Sequence, residues 1–506
     1  MSGTIKLKYC VDGEWKESET GKFMDIRNPS TGEKMAGTPC CTMDEVNSAI
    51  EAASAAYPTW SATPVIKRVQ VLYKFRDLID AHLDELTLIC ANEHGKVWEE
   101  AKGDILKVRE PVEIACSAPI LMMGESLMNA STGFDTVLFR ESVGVFAGVV
   151  PFNFPGMIPM GWMMPMCIAT GNTLVLKASS STPMTSMRLL ELLHEAGLPK
   201  GVVNLVTCSR VEAEIFLTHP DVKGVSFVGS TSVGLHIYST AAANGKRVQA
   251  LCEAKNHALV LNDADLESAA RAIINSGFGC AGERCMALSV IVVQEDIADR
   301  MVALLSKFAS ELRIGPAWDE ASELGPVASE GQRQSIVKWI GKGIEEGAEL
   351  VLDGRAVSVK GFEKGFYLGP SIFDHVEPGM TVGDREIFGP VICVKRVETF
   401  EEGLTIMNAN EFANGSVIFT RSGYYGREFA RLSHGGMVGI NVGIPVPVGI
   451  FPFSGHKNSF FGDLHALGKD GVRFFTETKV VTTKWSDPEA KGKSAKVDTW
   501  EGSVVR

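Results

Sequence analysis

The stretch GFGCAGERCMALS, residues 277–289, combines the two patterns in the chain that most strongly suggest chemistry. Its first six residues spell GxGxxG, the pattern of a turn that binds the phosphates of a dinucleotide. Three residues later comes Cys285, a potential nucleophile with Arg284 directly before it. The stretch is therefore either a phosphate-binding loop or glycine-rich backbone around a reactive thiol.

The elements around this stretch favour the thiol. A dinucleotide-binding GxGxxG follows a strand, opens a helix and has an acidic residue about twenty positions further on. Here the pattern follows LESAARAIINS, a helix-like segment, precedes a strand, and lacks an acidic residue in the right setting. We predict that these glycines instead let the backbone pass close to a substrate beside Cys285.

A better cofactor turn lies at VSFVGSTSVG. Residues 225–228 read as a strand, Gly229 as a turn and Ser230 as the start of a helix. The N-terminus of such a helix offers free N–H groups to an anion. A plain helix cap at Ser230 explains the same residues, so this pattern alone leaves both interpretations open.

Composition limits the classes of function. The chain has 506 residues and a net charge of −12, so two or three domains are expected and nucleic acid or an anionic membrane is an improbable main partner. Its 11 cysteines lack metal-ligand spacing, so we predict no metal site and expect reduced thiols in a cytoplasm. The N-terminus lacks an apolar signal segment, and the most apolar stretch, around residues 157–169, is too short to span a bilayer.

The order of predicted elements indicates an α/β protein. Residues 43–117 read as helices, because apolar residues recur at three- and four-residue spacing. Strands and helices alternate from 145 to 260, which predicts a doubly wound parallel sheet. A second α/β run begins near 257 and continues to about 440.

Two further segments predict exposed strands. Residues 136–150 read as a strand pair with a turn near Glu141, and residues 474–485 as a β-branched terminal strand before a polar tail. Strand edges of this kind need a partner, which favours an oligomer.

Six segments together carry a family resemblance: PFNFPG, GNTLVLKAS, SFVGSTSVG, FGCAGERC, EIFGPV and FANGSVIFT. In their order and spacing the chain resembles the aldehyde dehydrogenase superfamily from about residue 10 to 485. Within it, NFPGMIPM, AKNH, RCMALS and GKDGVRFFT are most similar to the methylmalonate-semialdehyde dehydrogenase branch. The resemblance implies a Rossmann-type cofactor domain, an α/β catalytic domain, a small β oligomerisation arm and a homodimer or homotetramer.

The same resemblance implies a division of the chain. It assigns a dinucleotide-binding domain to residues 1–133 and 151–255, and a catalytic domain to 256–442. It assigns oligomerisation strands to 134–150 and 470–488, and leaves a polar tail at 489–506.

The resemblance makes Cys285 the nucleophile and Asn153 the amide that stabilises the developing alkoxide. A thiolate attacks the aldehyde to form a thiohemiacetal, which loses hydride and becomes a thioester. Arg284 and the bound cofactor are expected to lower the thiol pKa. The residues implied in binding NAD or NADP are Phe152, Lys177, Ser179, Ser180, Gly229, Ser230, Val233, Glu386 and Phe388.

Two departures from the family concern the base and the cofactor. The family's ELGGK reads Leu251-Cys252-Glu253-Ala254-Lys255, so the usual general-base glutamate is Leu251. Residues two apart in an extended segment face the same side, so Glu253 is either a displaced base or a carboxylate paired with a nearby lysine. The family's KPSE reads KASS, with Ser180 for the glutamate, which predicts that NADP is accepted as well as NAD.

Three cationic side chains are predicted to bind the anionic group of the substrate. The branch carries an arginine in a GDVFRG stretch, where this chain has Lys107, with Arg109 two residues on. Arg284 is retained before the nucleophile. The implied substrate is a small anionic semialdehyde.

The leading functional interpretation is NAD(P)-dependent oxidation of malonate or methylmalonate semialdehyde, with the acyl group passed to CoA. The alternative is a hydrolytic enzyme for another small anionic aldehyde, such as a sulfonated aldehyde or succinate semialdehyde. An inactive nucleotide-binding or scaffold protein is disfavoured, because both Cys285 and Asn153 are present.

Overall fold

The structure, a computed structural model, describes residues 5–131 and 133–485. The predicted tail at 489–506 lies outside these ranges. The strands are β1 Ile5–Lys6, β2 Tyr9–Val11, β3 Glu14–Lys16, β4 Phe23–Arg27, β5 Lys34–Pro39, β6 Ser126–Ser131, β7 Phe134–Ser142, β8 Val145–Val149, β9 Thr173–Lys177, β10 Val203–Val206, β11 Val222–Val228, β12 Arg247–Leu251, β13 Asn256–Val260, β14 Leu288–Gln294, β15 Glu349–Leu352, β16 Ser371–Asp374, β17 Val391–Val397, β18 Phe412–Ala413, β19 Gly415–Phe419, β20 Met437–Ile440, β21 His456–Lys457, β22 Phe460–Gly462 and β23 Thr476–Lys484.

The helices confirm the helical prediction for residues 43–117 and the alternation that follows it. They are α1 Met43–Ala62, α2 Val65–Ala81, α3 Leu83–His94, α4 Trp98–Ala115, α5 Ala118–Leu121, α6 Met164–Ala169, α7 Met184–Glu195, α8 Arg210–Ala213, α9 Ile215–Thr218, α10 Thr231–Ala243, α11 Leu266–Phe278, α12 Glu295–Ser310, α13 Glu330–Glu345, α14 Thr381–Asp384, α15 Phe400–Ala409, α16 Gly423–Leu432 and α17 Gly468–Phe474, with a π-helix at Met157–Met163 and a 3₁₀ helix at Gly279–Gly282.

The first large sheet has eight strands in the order β22-β12-β11-β8-β9-β10-β2-β3. Its five central strands, β12 to β10 in that order, are parallel. Strands β9 and β10 lie on one side of β8, whereas β11 and β12 lie on the other, so the winding direction reverses between β8 and β11. In doubly wound sheets a ligand crevice opens beside the carboxyl ends of the two strands at such a reversal.

The second large sheet has seven strands in the order β15-β16-β17-β14-β13-β19-β20, all parallel except β15. Its buried core is built from residues between Ala258 and Phe429. The chain crosses from β12 to β13 through only four residues, 252–255, which therefore bridge the two sheets. This sheet is the second α/β run predicted to begin near residue 257.

A three-stranded antiparallel sheet, with the order β23-β7-β6, stands apart from both large sheets. The strand pair predicted over 136–150 is wrong, because β7 pairs with β6 and β23 while β8 lies parallel in the first large sheet. The cause is a change of environment at Gly144: β8 is Val-Phe-Ala-Gly-Val and almost wholly buried, as a central parallel strand must be, whereas β7 mixes polar and apolar residues. The terminal strand predicted at 474–485 is confirmed as β23.

The fully buried side chain of Asn172 fastens this small sheet to the first large sheet. Its Oδ1 accepts hydrogen bonds from the backbone N–H groups of Val143 at 2.7 Å and Gly144 at 3.0 Å. Its Nδ2 donates to the carbonyl of Phe475 at 2.7 Å. One amide therefore holds the end of β7 and the start of β23 against the loop that enters β9.

No helix in the described ranges 5–131 and 133–485 is long and apolar enough to cross a bilayer. The described side chains also form no group of three or more His, Cys, Asp or Glu residues suited to a metal ion.

Candidate active site

The first large sheet brings most of the predicted cofactor residues to one edge. Phe152 and Asn153 follow β8, Lys177 ends β9, and Gly229 and Ser230 follow β11. The other predicted residues beside these loops are Ser179 and Ser180 after β9, Val233 in the first turn of α10, and Glu253 after β12. These positions flank the reversal point between β8 and β11, where the topology alone places a ligand crevice.

Cys285 lies across this crevice, in the loop between the 3₁₀ helix and β14. Its backbone carbonyl accepts hydrogen bonds from the side-chain amides of Asn256 at 2.8 Å and Asn414 at 3.2 Å. Its side chain packs at the edge of a hydrophobic cluster that includes Trp162 and Phe453. Cys285, the predicted nucleophile, is therefore held in place through its backbone carbonyl.

Sequence reasoning missed the two asparagines that hold Cys285. Asn256 also accepts the N–H of Gly415 at 2.8 Å and so ties β13 to β19 as well as to the nucleophile loop. A signal was present, because Asn256 lies in AKNH and Asn414 in FANGSVIFT, both of which carried the resemblance.

The glycines before Cys285 make room for protein rather than for substrate, contrary to the prediction. Gly282 has φ of +73°, and a Cβ there would stand 2.1 Å from the carbonyl oxygen of Gly389. A Cβ on Gly279 would collide with the guanidinium of Arg284 at 1.0 Å. The GxGxxG stretch follows α11 and leads into β14, which confirms the predicted order of a helix before it and a strand after it.

The thiol environment opposes ionisation. Burial, reinforced by the carboxylate of Glu386, raises the pKa of Cys285 to about 12, and the cations Arg284 and Lys96 offset only part of this rise. The charge of Arg284 does lower the thiol pKa, as expected, but without a bound cofactor burial outweighs it. A thiol in such surroundings stays protonated at neutral pH unless a positive charge or a base is brought close to it.

Asn153 is buried beside the nucleophile loop. Its Nδ2 donates to the carbonyl of Glu283 at 3.1 Å, and its Oδ1 is buried without a hydrogen-bond partner among the described residues. Thr182 donates to the carbonyl of Phe152 at 2.9 Å and so fixes the loop that carries Asn153. The amide of Asn153 therefore contacts the backbone two residues before Cys285.

A buried ion pair contacts the segment that follows Asn153. Lys96 Nζ and Asp104 Oδ2 are 2.9 Å apart, and both side chains are fully buried. Asp104 also accepts the backbone N–H of Met157 at 2.7 Å, and Lys96 lies 3.6 Å from the ring centre of Phe154. The pair therefore anchors both sides of the segment that follows Asn153.

Leu251 ends β12 with a buried alkyl side chain, and Glu253 turns toward α10. Glu253 Oε2 accepts the backbone N–H of Thr231 at 3.0 Å, and the Glu253 N–H donates to Thr231 Oγ1 at 3.3 Å. The interpretation that Glu253 pairs with a lysine is therefore wrong within the described part of the chain, because its partner is the first turn of a helix.

Glu386 and Phe388 approach the crevice from the second domain. Glu386 Oε1 accepts the N–H of Ala254 at 3.2 Å, and burial followed by the charge of Glu253 raises the pKa of Glu386 to about 8. Phe388, at φ of 59°, meets Phe152 edge to face with ring centres 5.8 Å apart. Predicted cofactor residues from both domains therefore meet across the crevice.

The three predicted substrate cations are differently placed. Arg284 is largely buried, 3.3 Å from Glu100, and donates to the carbonyl of Asn275 at 3.0 Å. Lys107 and Arg109 are both on α4, where residues two apart point to different sides of the helix. The structure does not bring all three cations together.

Lys107 and Arg109 point to different surroundings. Lys107 pairs with Glu110, which in turn accepts the N–H of Gly449 at 2.8 Å, so this pair lies against the loop that leads to Phe453. Arg109 pairs with Asp80 and Glu113, each at 3.2 Å, on the α2 side.

Comparisons with known proteins identify the family of the chain. The chain matches the sequence profile of the aldehyde dehydrogenase family over residues 15–481. It is 48% identical over 484 residues to malonate-semialdehyde dehydrogenase 2 of Geobacillus kaustophilus, covering 96% of this chain and 100% of that protein. A crystal structure of methylmalonate-semialdehyde dehydrogenase from Oceanimonas doudoroffii is similar with a TM-score of 0.94 and 42% identity, over 96% of this chain and 99% of that one. A structure in complex with NAD, assigned to the same activity in Sinorhizobium meliloti 1021, has a TM-score of 0.94 and 43% identity, with coverage of 96% and 99%. The chain belongs to the aldehyde dehydrogenase family.

Proposed function

We propose that the protein is a CoA-acylating malonate- or methylmalonate-semialdehyde dehydrogenase that uses NAD. The observation that carries this proposal is the full-length likeness to proteins with those names, combined with a buried Leu251 where the family's usual base would stand. The acyl product is acetyl- or propionyl-CoA, with loss of CO2.

The donor set suits a nicotinamide dinucleotide. The N-terminus of α10 offers N–H groups to its phosphates, Lys177 lies where a ribose is expected, and Glu386 offers carboxylate oxygens to hydroxyls. The rings of Phe152 and Phe388 form an aromatic wall where the two domains meet. When bound, the nicotinamide supplies an acceptor for hydride.

In this proposal Cys285 first loses its proton to solvent, and the thiolate then attacks the aldehyde carbon, so that the new C–S bond leaves an alkoxide on the former aldehyde oxygen. Asn153 then turns its amide toward the developing alkoxide, an interaction worth roughly 2.7–4 kcal/mol in related cases. Loss of hydride to the cofactor oxidises the thiohemiacetal to a thioester on Cys285. The hydrogen bonds from Asn256 and Asn414 keep the backbone of Cys285 in place throughout.

Transfer of the acyl group to CoA follows from what water attack would need. Water must lose a proton to a base, and the alkyl side chain of Leu251 cannot accept one. CoA brings its own thiol, whose pKa is near 8.5 by analogy with cysteine, so it needs less help. The CoA sulfur forms the new thioester bond while the Cys285 thiol leaves. Hydrolysis by Glu253 as a displaced base is the competing proposal.

We propose that NADP is accepted beside NAD, because Ser180 removes a negative charge that would repel a 2′-phosphate. Ser180 follows Lys177 and Ser179, and Ser179 shares a hydrogen bond with Ser181 at 3.0 Å, so this loop presents hydroxyls next to a cation. A catalytic efficiency with NAD more than about a hundredfold above that with NADP, near 2.7 kcal/mol, would contradict this proposal.

We propose that Arg284, with Lys107 at the rim, selects an anionic substrate. Arg284 must exchange part of its contact with Glu100 for the substrate carboxylate, whereas Lys107 must part from Glu110. Arg109 is the weaker candidate, because Asp80 and Glu113 hold it on the α2 side. Propanal should therefore be a much poorer substrate than malonate semialdehyde.

The deciding experiment is a panel of anionic semialdehydes, with propanal, assayed for NADH and for acyl product with and without CoA. We expect acyl-CoA from malonate or methylmalonate semialdehyde and little free acid. Cys285→Ala should abolish oxidation but keep NAD binding, and Asn153→Ala should lower kcat by about 10²–10³. Rapid acid formation without CoA, lost in Glu253→Gln, would establish the hydrolytic alternative.

We also propose a homodimer or homotetramer joined through the small sheet. Large apolar side chains are exposed on this sheet and just after it: Leu127, Met128, Phe139, Val480 and Trp485. Both edges of the sheet are also unpaired within the described chain, and open edges with exposed apolar side chains favour a partner. All 11 cysteines are unpaired, in keeping with the expected cytoplasmic location.

A further inference from the structure

The carboxylate of Glu253 occupies the N-terminus of α10, the helix end expected to receive the cofactor phosphates. Its Oε2 lies 3.0 Å from the backbone nitrogen of Thr231, the first residue of the helix. Ser230, at the N-cap position, makes no side-chain cap hydrogen bond to the helix. The negative charge that this helix end favours is therefore supplied from inside the protein.

Glu253 stands where the family's ELGGK motif has its first glycine. A glycine there would leave the N–H of Thr231 open to a ligand. The contact is not incidental, because the N–H of Glu253 also donates to Thr231 Oγ1 and its carbonyl accepts from Ser459 Oγ at 2.7 Å. The backbone is fixed, so the side chain is aimed at the helix end.

No cation neutralises this carboxylate in the described part of the chain. The cavity of about 340 Å³ beside it is also lined by Lys342 and Arg385, but these pair with Glu346 and Glu411. Glu386 interacts with it instead, because burial and then the charge of Glu253 raise the pKa of Glu386 to about 8. Two carboxyl groups thus share the part of the crevice that an anionic cofactor must enter.

We propose that Glu253 is an intramolecular competitor of the cofactor diphosphate at the N-terminus of α10, a specificity device that weakens nucleotide binding. The proposal rests on the cofactor site given above. A dinucleotide must displace the carboxylate from the Thr231 N–H, or bind beside it against like-charge repulsion. Ligands with a diphosphate are therefore penalised, and ligands without phosphate are not.

The test is calorimetric titration of NAD, ADP and adenosine into the full-length protein and into Glu253→Gln. The amide of glutamine keeps an oxygen that can accept the Thr231 N–H, so the helix cap survives while the charge is removed. We expect the Kd for NAD and for ADP to fall by about tenfold, the scale of one charge at a helix N-terminus. The Kd for adenosine should stay the same, and the gain should shrink at about 0.5 M salt because the repulsion is screened.

Asp265→Asn is the matched control. Asp265 caps α11 by accepting the N–H of Ser268 at 3.2 Å, and it lies in none of the cofactor elements. This variant also replaces a carboxylate with an amide at a helix N-terminus, but the Kd for NAD and ADP should stay the same. Glu253→Gly, which restores the family residue, provides a second variant with the same expected direction.

The opposite outcomes overturn the proposal. A higher Kd for NAD in Glu253→Gln would make Glu253 a direct ligand, for example of ribose hydroxyls. An unchanged Kd in both Glu253 variants would make it only a helix cap. Binding is measured without aldehyde, whereas the proposed reaction is judged by acyl-CoA formation in the same preparations, so the two failures are distinguishable.

Discussion

The surroundings of Cys285, the proposed nucleophile, fix its position but do not favour ionisation of its sulfur. Asn256 and Asn414 hold the backbone of Cys285, while burial and Glu386 raise its pKa to about 12. At neutral pH, well below this value, the side chain of the ligand-free protein is therefore a thiol. The thiolate must be generated once substrate and cofactor have entered.

This residue-scale argument predicts the pH dependence of Cys285 alkylation in the ligand-free protein. A group with a pKa near 12 gains thiolate tenfold per pH unit at any lower pH. The rate constant with iodoacetamide should therefore rise about tenfold per unit from about pH 7 to pH 10. Mass spectrometry of the modified peptide gives the rate, and Cys285→Ala gives the background from other cysteines. A plateau near pH 8 would contradict the raised pKa.

Single residues were predicted well where they lie in local motifs and poorly where partners come from afar. The positions of Phe152, Gly229 and Ser230 at strand ends follow from local patterns. The contact of Glu253 with Thr231, 22 residues away, depends on the pairing of β11 with β12. Sequence spacing contains no such register, so the lysine partner was expected instead.

At the scale of elements, the loop from α11 to β14 is held in an uncommon conformation. Cys280 and Ala281 have φ of 51° and 52°, and Gly282 follows at 73°. Only Gly282 combines such a φ with backbone contact to Gly389. Strained backbone of this kind persists where surrounding structure determines it, here between the nucleophile and the EIFGP segment.

We predict that Gly282→Ala lowers both the stability of the protein and its kcat, because of this backbone contact. A Cβ at 2.1 Å from the Gly389 carbonyl oxygen would push apart the loops that carry Cys285 and Glu386. Thermal unfolding should show a loss above about 2 kcal/mol, and kcat should fall more than NAD affinity. Gly245→Ala is the control, because Gly245 has φ of 68° with nothing within 4 Å of its Cβ position. Equal losses in both variants would assign the effect to φ alone.

We also predict that the Lys96–Asp104 pair behaves as a unit. Asp104→Asn leaves the fully buried Lys96 without its counter-charge and should cost about 3–5 kcal/mol. Adding Lys96→Met removes the orphaned charge, so the double variant should recover part of the loss. Chemical unfolding gives both values. A double variant less stable than Asp104→Asn would show that Lys96 acts through other partners, such as the Phe154 ring.

Sequence patterns were sufficient to predict one of the large sheets but not the boundary of the small one. The alternation of strands and helices identified the doubly wound sheet, because each strand there is a short apolar run. The strand pair predicted within 134–150 was wrong, because two consecutive strands separated by a glycine have the same sequence pattern as a hairpin. Only the burial of β8 on both faces separates it from β7, and burial depends on what covers a strand.

At the scale of the whole molecule, the small sheet combines exposed apolar side chains with open strand edges. Val480 is 59% exposed and Met128 is 81% exposed, while the strands that carry them are unpaired on their outer edges within the described chain. The rest of the chain has two large sheets whose centres are buried. Assembly through this arm would cover its apolar side chains without altering the crevice.

We predict that Val480→Asp shifts the protein to a smaller species. A charge on this face opposes burial at a subunit interface, whereas the strand still pairs with β7 through its backbone. Light scattering after size exclusion should report a lower mass. Val211→Asp is the control, since Val211 is 68% exposed on α8, away from the arm. An unchanged mass in Val480→Asp would exclude this face as the main interface.

The hydrogen bonds of Asn172 affect how the small sheet, the arm, unfolds locally. Because its one amide binds the N–H groups of Val143 and Gly144 and the carbonyl of Phe475, neither root of the arm is released without disturbing the other. The roots should therefore open as one cooperative unit in hydrogen exchange, while the distal ends of β7 and β23 fray separately. Val143 and Gly144 lead directly into β8, whose far end carries Asn153. A neighbouring subunit that restricts motion of the arm would therefore also restrict motion of Asn153, without touching the crevice.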